Sequence, residues 1–203
     1  MNSFYTNKQQ IISWLEKVSI ENYTLIPDEQ YGFVVNVNGK VILFAKNLIS
    51  IPVKFNEVSG NFWCSFNNLT SLEFCPEIVG GSFDCEDNKL TSLNFCPKTV
   101  GGNFRCGHNK LTSLEFSPQK VGADFWCNNN QLTSLEFCPQ EVSGFFYCDY
   151  NLELKDIQKI TDFKRIYLEH EQILKHIIIN KFSDQLDNDL SNDKSKRTVK
   201  IKI

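Results

Sequence analysis

Apolar and polar positions along this chain recur with a period of 21 residues. The pattern Val-x-x-x-Phe-x-Cys at residues 58–64 returns at 79–85, 100–106, 121–127 and 142–148, and Leu-Thr-Ser-Leu at 69–72 returns at 90–93, 111–114 and 132–135. An earlier, less regular copy keeps the frame without a gap, with Val37 at the place of Val58 and Leu48 at the place of Leu69. Self-similarity at a fixed period of about 20–50 residues indicates a solenoid. The repeat therefore predicts an array of coils over residues 37–151.

Each coil has the same predicted internal plan. Phe62-Trp63-Cys64 is typical of a short strand, in which Phe62 and Cys64 point into the core and Trp63 points out. Asn67 follows this strand, and a buried ladder of the recurring asparagines would satisfy backbone groups that leave it. Leu69 and Leu72 fill the core. Phe74 and Pro76 form the return side of the coil.

The N-terminal region, residues 1–36, is predicted to cap the first coil, because an uncovered solenoid end exposes its core and strand edge. Thr6 followed by Gln9 indicates a capping box, and Ile11, Leu15 and Val18 give one apolar face to a helix at about 7–19. Residues 21–28 are expected to be a connection. Two β segments, 31–37 and 40–44, flank Asn38-Gly39, which indicates a hairpin or a turn between the sides of a coil.

The repeat fails after Asn151, where Glu153 stands in place of a core leucine. Apolar residues then recur at helical spacing, which predicts a C-terminal helical cap at 152–183, or alternatively a helix that binds a partner. Residues 184–203 read as a charged tail. Within this tail, 198–203 alternates like an edge strand that the coil pattern does not place.

The repeat resembles that of short-repeat bacterial and bacteriophage leucine-rich repeat proteins. The leucine-rich template Leu-x-Leu-x-x-Asn-x-Leu is met as Phe125-x-Cys127-x-x-Asn130-x-Leu132, and Asn-x-Leu-Thr-Ser-Leu-Glu-x-Cys-Pro is similar to the repeat wording of that group. The resemblance covers residues 37–151. It implies an α+β solenoid with short parallel strands and helical caps, and a binding scaffold without a named activity. It also implies a viral accessory role as one expectation, such as blocking a bacterial defence protein.

Charge and composition narrow the classes of partner. The net charge of −3 gives no electrostatic case for nucleic acid or an anionic membrane. Neither a signal peptide nor a membrane-spanning run is recognised, which predicts a soluble protein of a reducing compartment. The resemblance implies that this compartment is the cytoplasm of a bacterium or of an infected bacterial cell.

Eight cysteines recur in two columns of the repeat. A cysteine that returns once per coil behaves as a small buried apolar residue. Disulfides within a column are geometrically conceivable at the strand spacing of about 5 Å, but the first column has five members and Ser117 interrupts the second. Reduced, structural cysteines are therefore expected. Zinc and other cofactors are not, since no Cys-x-x-Cys or Cys-x-x-His pair is present.

Outward-pointing strand positions would line the concave face, the usual binding side of such solenoids. These positions vary between coils while the core positions do not. Exposed Trp, Tyr and Arg dominate interface energetics, so a protein partner is predicted to bind here, with small-ligand or nucleotide sequestration as the alternative. The aromatic residues and Arg105 could instead only pack on or pair with sheet neighbours. The candidate residues are Trp63, Phe66, Asp84, Arg105, His108, Trp126, Tyr147 and Tyr150.

An enzyme is not predicted. His108 and Asp87 could form a pair near one another, but no serine or cysteine nucleophile is arranged with them, because the strand cysteines point inward. A surface ion pair between His108 and Asp87 is the favoured interpretation over a catalytic one. No phosphate-binding or dinucleotide motif is present.

Overall fold

The computed structural model describes residues 4–151. They form a parallel β-solenoid of about five turns, in which equivalent strands are spaced 21 residues apart, as the repeat predicts. The predicted C-terminal cap at 152–183 and the tail at 184–203 lie outside the described residues. No helix within 4–151 is long and apolar enough to cross a membrane.

Two short strands are found in each full coil, where the sequence predicted one. The seven-stranded sheet contains β1 Tyr23–Asp28, β2 Gly32–Val37, β4 Phe55–Val58, β6 Ile78–Val79, β8 Thr99–Val100, β10 Lys120–Val121 and β12 Glu141–Val142. The six-stranded sheet contains β3 Val41–Ile42, β5 Phe62–Trp63, β7 Phe83–Asp84, β9 Phe104–Arg105, β11 Phe125–Trp126 and β13 Phe146–Tyr147. Strands of the second set lie at the predicted Phe-x-Cys positions. The coil strands of the first set were missed because β6, β8 and β10 each contain one exposed residue and one buried valine, which is too short an alternation to recognise, whereas the second set is marked by the longer Phe-x-Cys alternation.

The N-terminal helix, α1 Lys8–Lys17, lies within the predicted range. Its N-cap is Asn7, whose side-chain oxygen accepts hydrogen bonds from the amides of Gln9 at 2.8 Å and Gln10 at 3.4 Å. The predicted Thr6–Gln9 capping box is therefore wrong. Asparagine satisfies the free amides of the first turn as well as threonine does, so a neighbouring Asn can take the role.

A strand also replaces the connection expected at 21–28. β1 pairs antiparallel with β2 in the register Leu25↔Val35, so the hairpin of the cap lies before the repeats. Asn38-Gly39 is the turn that links β2 to β3, which belong to different sheets. Of the two interpretations of this dipeptide, the turn between sides of a coil is the one observed.

The core is a stack of identical residues, one from each coil. Neighbouring phenylalanine rings of the six-stranded sheet have centroids 5.0–5.7 Å apart and near-parallel planes, in the series Phe62, Phe83, Phe104, Phe125 and Phe146. These rings have no exposed surface, and neither do the core leucines of the middle coils. Repetition of one residue type at one position thus brings each buried ring into contact with its equivalent in the next coil.

The predicted asparagine ladder is present. Asn88 Nδ2 donates to the carbonyl oxygens of Cys64, Cys85 and Glu86 at 3.0–3.2 Å, and Asn88 Oδ1 accepts from the Leu69 amide at 2.9 Å. Asn67, Asn109, Asn130 and Asn151 repeat this arrangement. Each side chain joins its own coil to the preceding one, which ties the coils together where the backbone leaves the strand.

The return side of each coil contains a turn with an unusual residue. The amide of Cys96 donates to the Leu93 carbonyl at 3.0 Å, and the residue between them in the third turn position, Phe95, has a φ of 68°. Glycine is the residue that such a turn favours, and a left-handed backbone costs other residues about 1–2 kcal/mol. The same conformation recurs at Phe74, Phe116 and Phe137, with φ of 64–72°. The chain thus holds a phenylalanine in strained backbone four times.

No disulfide joins the eight cysteines, all of which lie in the described residues, and all except Cys138 are buried. Burial raises the pKa of the Cys96 thiol from 9.0 to about 12 and holds the pKa of Cys106 and Cys127 well above 9.0. A thiol with a raised pKa carries almost no reactive thiolate at neutral pH. Cys96, Cys106 and Cys127 are therefore packing residues with thiols of low reactivity.

Native protein should accordingly react very slowly with a thiol reagent such as Ellman's reagent at pH 8, whereas denatured protein should release the full eight equivalents. The same pKa shift has a consequence for stability. Between about pH 9 and pH 12 the unfolded chain loses thiol protons that the folded chain keeps, so the free energy of unfolding should fall as the pH rises through this range. Rapid reaction of several thiols in the native state would contradict the buried placement.

Candidate functional site

The solvent-facing side of the six-stranded sheet, here called the exposed sheet face, brings the predicted outward residues into one column. Parallel register aligns Trp63 with Asp84, Asp84 with Arg105, Arg105 with Trp126, and Trp126 with Tyr147. All five side chains are half-buried, whereas the preceding phenylalanine of each strand is fully buried. The alternation predicted from the sequence is confirmed.

Within this column, Arg105, Trp126 and Tyr147 form a stack. The ring centroids of Trp126 and Tyr147 are 3.7 Å apart with planes 19° from parallel, and the guanidinium carbon of Arg105 lies 5.3 Å from the Trp126 ring centroid. Among residues 4–151, Arg105 makes no ion pair with Asp84 or Asp124. Arg105 therefore binds the face of an aromatic ring, an arrangement that fixes its side chain while leaving part of the guanidinium available.

A groove of about 480 Å³ lies beside this stack, at the N-terminal end of the face. Ile42, Phe44 and Trp63 form an apolar end, and Asp84 and Arg105 form a charged end. Ser65, Ser82 and Asn103 line the remainder. An apolar wall beside a few converging polar groups is the usual composition of a binding groove.

Two carboxylates of the face have pKa values that are raised by burial. Burial raises the pKa of Asp84. A hydrogen bond that Asp84 Oδ1 accepts from the Glu86 amide at 3.0 Å lowers the pKa, but by less than burial raises it. Burial also raises the pKa of Glu86, and the neighbouring Asp84 charge adds to this effect. A carboxylate with a raised pKa lowers folding stability at neutral pH. The exposed sheet face therefore keeps acidic groups that stability alone would disfavour.

The face also holds two buried polar atoms, Trp126 Nε1 and Asn128 Oδ1, that find no hydrogen-bond partner among the described residues. Such atoms are uncommon in folded proteins and each lowers stability. Both belong to the coil that supplies the centre of the aromatic stack. The exposed sheet face thus contains two carboxylates and two unpaired polar atoms that lower the folding stability.

The edge of the face carries the remaining predicted residues at a left-handed turn position with φ of 51–56°, occupied by Phe66, Asp87, His108, Asn129 and Tyr150. Phe66 is 54% exposed and Tyr150 61% exposed. Phe66 packs on Phe44 with centroids 5.1 Å apart. These residues extend the exposed sheet face beyond its central column.

The expected pair of His108 with Asp87 is wrong. His108 Nε2 lies 3.2 Å from Asn129 Nδ2, and no ion pair with Asp87 is formed. Adjacent coils align equivalent positions, so His108 has residue 87 on one side and residue 129 on the other, and the side chain turned to the asparagine. Within residues 4–151, no group of three or more His, Cys, Asp and Glu side chains could hold a metal ion.

Sequence reasoning missed two contributors to the face, Ile42 and Phe44, which line the groove. The repeat frame placed Glu86 at an outward position, but not the partial burial of its carboxylate. Ile42 aligns with Trp63 in the observed register, so extending the repeat frame one coil towards the N-terminus would have found it. No pattern in the sequence distinguishes Glu86 from an ordinary solvated acid, since its burial depends on side chains of neighbouring coils.

These observations define a parallel β-solenoid whose exposed sheet face carries an aromatic and arginine stack, a groove and half-buried carboxylates. Comparison of the chain with protein-family models, with curated protein sequences and with solved structures finds no match.

Proposed function

We propose that this chain is a non-enzymatic leucine-rich repeat module that binds a protein partner through the exposed sheet face, which is the concave side of such an array. The observation that carries the proposal is the aromatic and Arg stack beside a groove of about 480 Å³. Trp, Tyr and Arg are the residues most often found at binding hot spots. Core positions repeat between coils, whereas these outward positions differ, as recognition of a particular partner requires.

The leucine-rich repeat assignment rests on the buried Leu69 and Leu72 positions and the asparagine ladder. We extend it to the cytoplasm of a bacterial or infected bacterial cell, and to a phage accessory or anti-defence role. These extensions derive from the resemblance of the repeat. A fold of this kind supports many functions, so the surface chemistry decides which partner fits.

Charge on the face favours a basic partner. Asp84, Glu86, Asp87 and Asp124 lie on the face or its edge, whereas Arg105 is the fixed cation there. A partner's lysine or arginine placed beside Asp84 would offset the destabilising effect of its half-buried carboxylate, because an opposite charge favours the ionised form. Electrostatic complementarity of this kind selects partners and speeds association.

Sequestration of a small ligand is the second candidate, because the groove has the size of small-molecule sites. The carboxylates disfavour nucleotide phosphates and favour an aromatic amine between Trp63 and Asp84. Purified protein separates the two functions: a bound small molecule would absorb near 260 nm, whereas a protein partner would copurify in stoichiometric amount.

The test is a pull-down from bacterial lysate, followed by affinity measurements with the recovered protein. Trp126→Ala should weaken binding by about 2 kcal/mol or more, as hot-spot truncation does. Asp84→Lys should weaken a basic partner and spare an acidic one, and Arg105→Glu should do the opposite. Thr112→Ala, at an exposed position away from this face, is the matched control.

The melting temperature of each variant is measured as well, because Trp126 also stacks on Tyr147 and its replacement lowers stability to some extent. Unchanged affinity for both Trp126→Ala and Asp84→Lys would remove the exposed sheet face as the binding surface.

A further inference from the structure

The return side of the solenoid carries a row of exposed phenylalanines, Phe95, Phe116 and Phe137, here called the Phe stripe. Their side chains are 55%, 55% and 57% exposed. Each stands at the left-handed turn position where glycine would be free of strain. Strained backbone persists at positions where the side chain has a use, and packing within the coil is not that use, because the rings face solvent.

The equivalent residue one coil earlier shows what such a ring can do. Phe74 has the same backbone, with φ of 72°, but is only 8% exposed. Phe4 covers it with ring centroids 4.9 Å apart, and Tyr31 packs edge-on at 5.7 Å. Two aromatic side chains of the N-terminal cap therefore pack on Phe74.

The backbone takes part in the same contact. The amide of Tyr5, next to Phe4, donates to the carbonyl oxygen of Pro52 at 2.7 Å. The repeat places Glu73, Asn94 and Glu115 at the positions that follow Pro52 by one, two and three coils. A segment with an aromatic side chain thus contacts the first coil through one ring and one backbone amide, and the repeat places a carbonyl and a phenylalanine at the equivalent positions of later coils.

Charge beside the Phe stripe indicates the rest of the partner's chemistry. A groove of about 400 Å³ runs beside Phe95 and Phe116, and its Lys98 is already paired with Glu77 at 2.7 Å. Lys54 also lines this groove, but its side chain is half-buried and its ammonium donates to the carbonyl oxygen of Cys75 at 3.1 Å. Glu115 and Glu136, which precede Phe116 and Phe137, are therefore the exposed charges beside the stripe that have no ion-pair partner among residues 4–151.

We infer that the Phe stripe is a second docking surface, which binds an extended peptide segment of a partner protein that alternates aromatic with basic residues. Its aromatic rings would pack on Phe95, Phe116 and Phe137 as Phe4 and Tyr31 pack on Phe74, and its basic groups would face Glu115 and Glu136. A second copy of this chain fits less well, because stripe-to-stripe packing would bring two sets of these glutamates into one interface. The surface is separate from the exposed sheet face and does not depend on its function.

The test uses the full chain and three labelled synthetic decapeptides, one alternating lysine with phenylalanine, one glutamate with phenylalanine, and one lysine with alanine. Fluorescence anisotropy should show the lysine–phenylalanine peptide binding at least about tenfold more tightly than the other two. The double variant F95G/F116G should lose at least about tenfold in affinity for it.

The glycine variants separate docking from folding. Phe116→Gly should keep or raise the melting temperature, because glycine relieves the turn and little buried contact is lost. Phe74→Gly, at the same position with nearly the same φ, should lower the melting temperature because its ring is covered, while leaving peptide affinity unchanged.

Three results would overturn the inference. Equal binding of the lysine–alanine peptide would mean general charge attraction, and binding that survives F95G/F116G would place the peptide elsewhere. A concentration-dependent dimer in sedimentation that Phe116→Gly dissociates would assign the stripe to a second copy of this chain. Absence of binding by all three peptides equally contradicts a surface open to such a partner.

Discussion

Replacing Leu111 by alanine should lower the free energy of unfolding by about 2–5 kcal/mol, the range measured for truncated buried leucines. Leu111 has no exposed surface and lies in the middle of the array, between Leu90 and Leu132 of the adjacent coils. Each coil packs only on its neighbours, so a cavity in the middle weakens two interfaces at once. Urea unfolding followed by circular dichroism measures the loss.

The control for Leu111 is its neighbour in the chain, since Thr112→Ala changes an exposed side chain of the same coil and should shift stability by less than about 0.5 kcal/mol. A loss below about 0.5 kcal/mol for Leu111→Ala itself would show that the leucine is not in the core. Hydrogen exchange would add that the amides of coils on both sides lose protection.

Asn67→Ala should destabilise the protein by about 3 kcal/mol or more, because several buried backbone groups would lose their partners at once. Asn67 Nδ2 donates to the carbonyl oxygens of Leu43, Cys64 and Ser65 at 2.8–3.1 Å. Asn67 Oδ1 accepts from the amides of Lys46 and Leu48 at 3.0 and 2.9 Å. No other side-chain shape offers this set of donors and acceptors, so Asn67→Asp should be about as damaging, since it loses the donors and buries a charge.

Asn68 is the matched control, since it is the next residue, has the same side chain and is only half-buried. Asn68→Ala should change stability by less than about 1 kcal/mol. Thermal and urea unfolding of the two variants under one set of conditions gives the comparison directly. Equal losses for Asn67→Ala and Asn68→Ala would mean that the ladder does not bear on stability.

The exposed sheet face was partly predictable from the sequence. The 21-residue frame and the two-residue alternation of a strand together assign Trp63, Asp84, Arg105, Trp126 and Tyr147 to one outward column. The frame does not say which neighbours these residues choose. Arg105 could pair with an acid or lie on a ring, and the contact with Trp126 depends on side-chain conformations of two coils. His108 likewise had two equivalent neighbours, and only its conformation selects Asn129.

The Phe stripe gives a second example of a difference that the repeat frame does not predict. Phe74 and Phe116 stand in the same repeat position and have nearly the same backbone, with φ of 72° and 70°. The repeat alone predicts one environment for both. Phe74 is covered because residues far away in the sequence, Phe4 and Tyr31, fold back onto the first coil.

By itself the sequence determined the solenoid, its period, the inward phenylalanines and leucines, and the asparagine ladder. These features arise from local pattern repeated at fixed spacing, and a repeated pattern can fill a core only by stacking in register. Tertiary structure alone decided the second sheet, the strand at Tyr23–Asp28, the partial burial of Glu86 and the difference between Phe74 and its copies. Each of these depends on contacts between residues that are distant in the chain or on neighbouring coils, and the free energy of such contacts is not carried by any one segment.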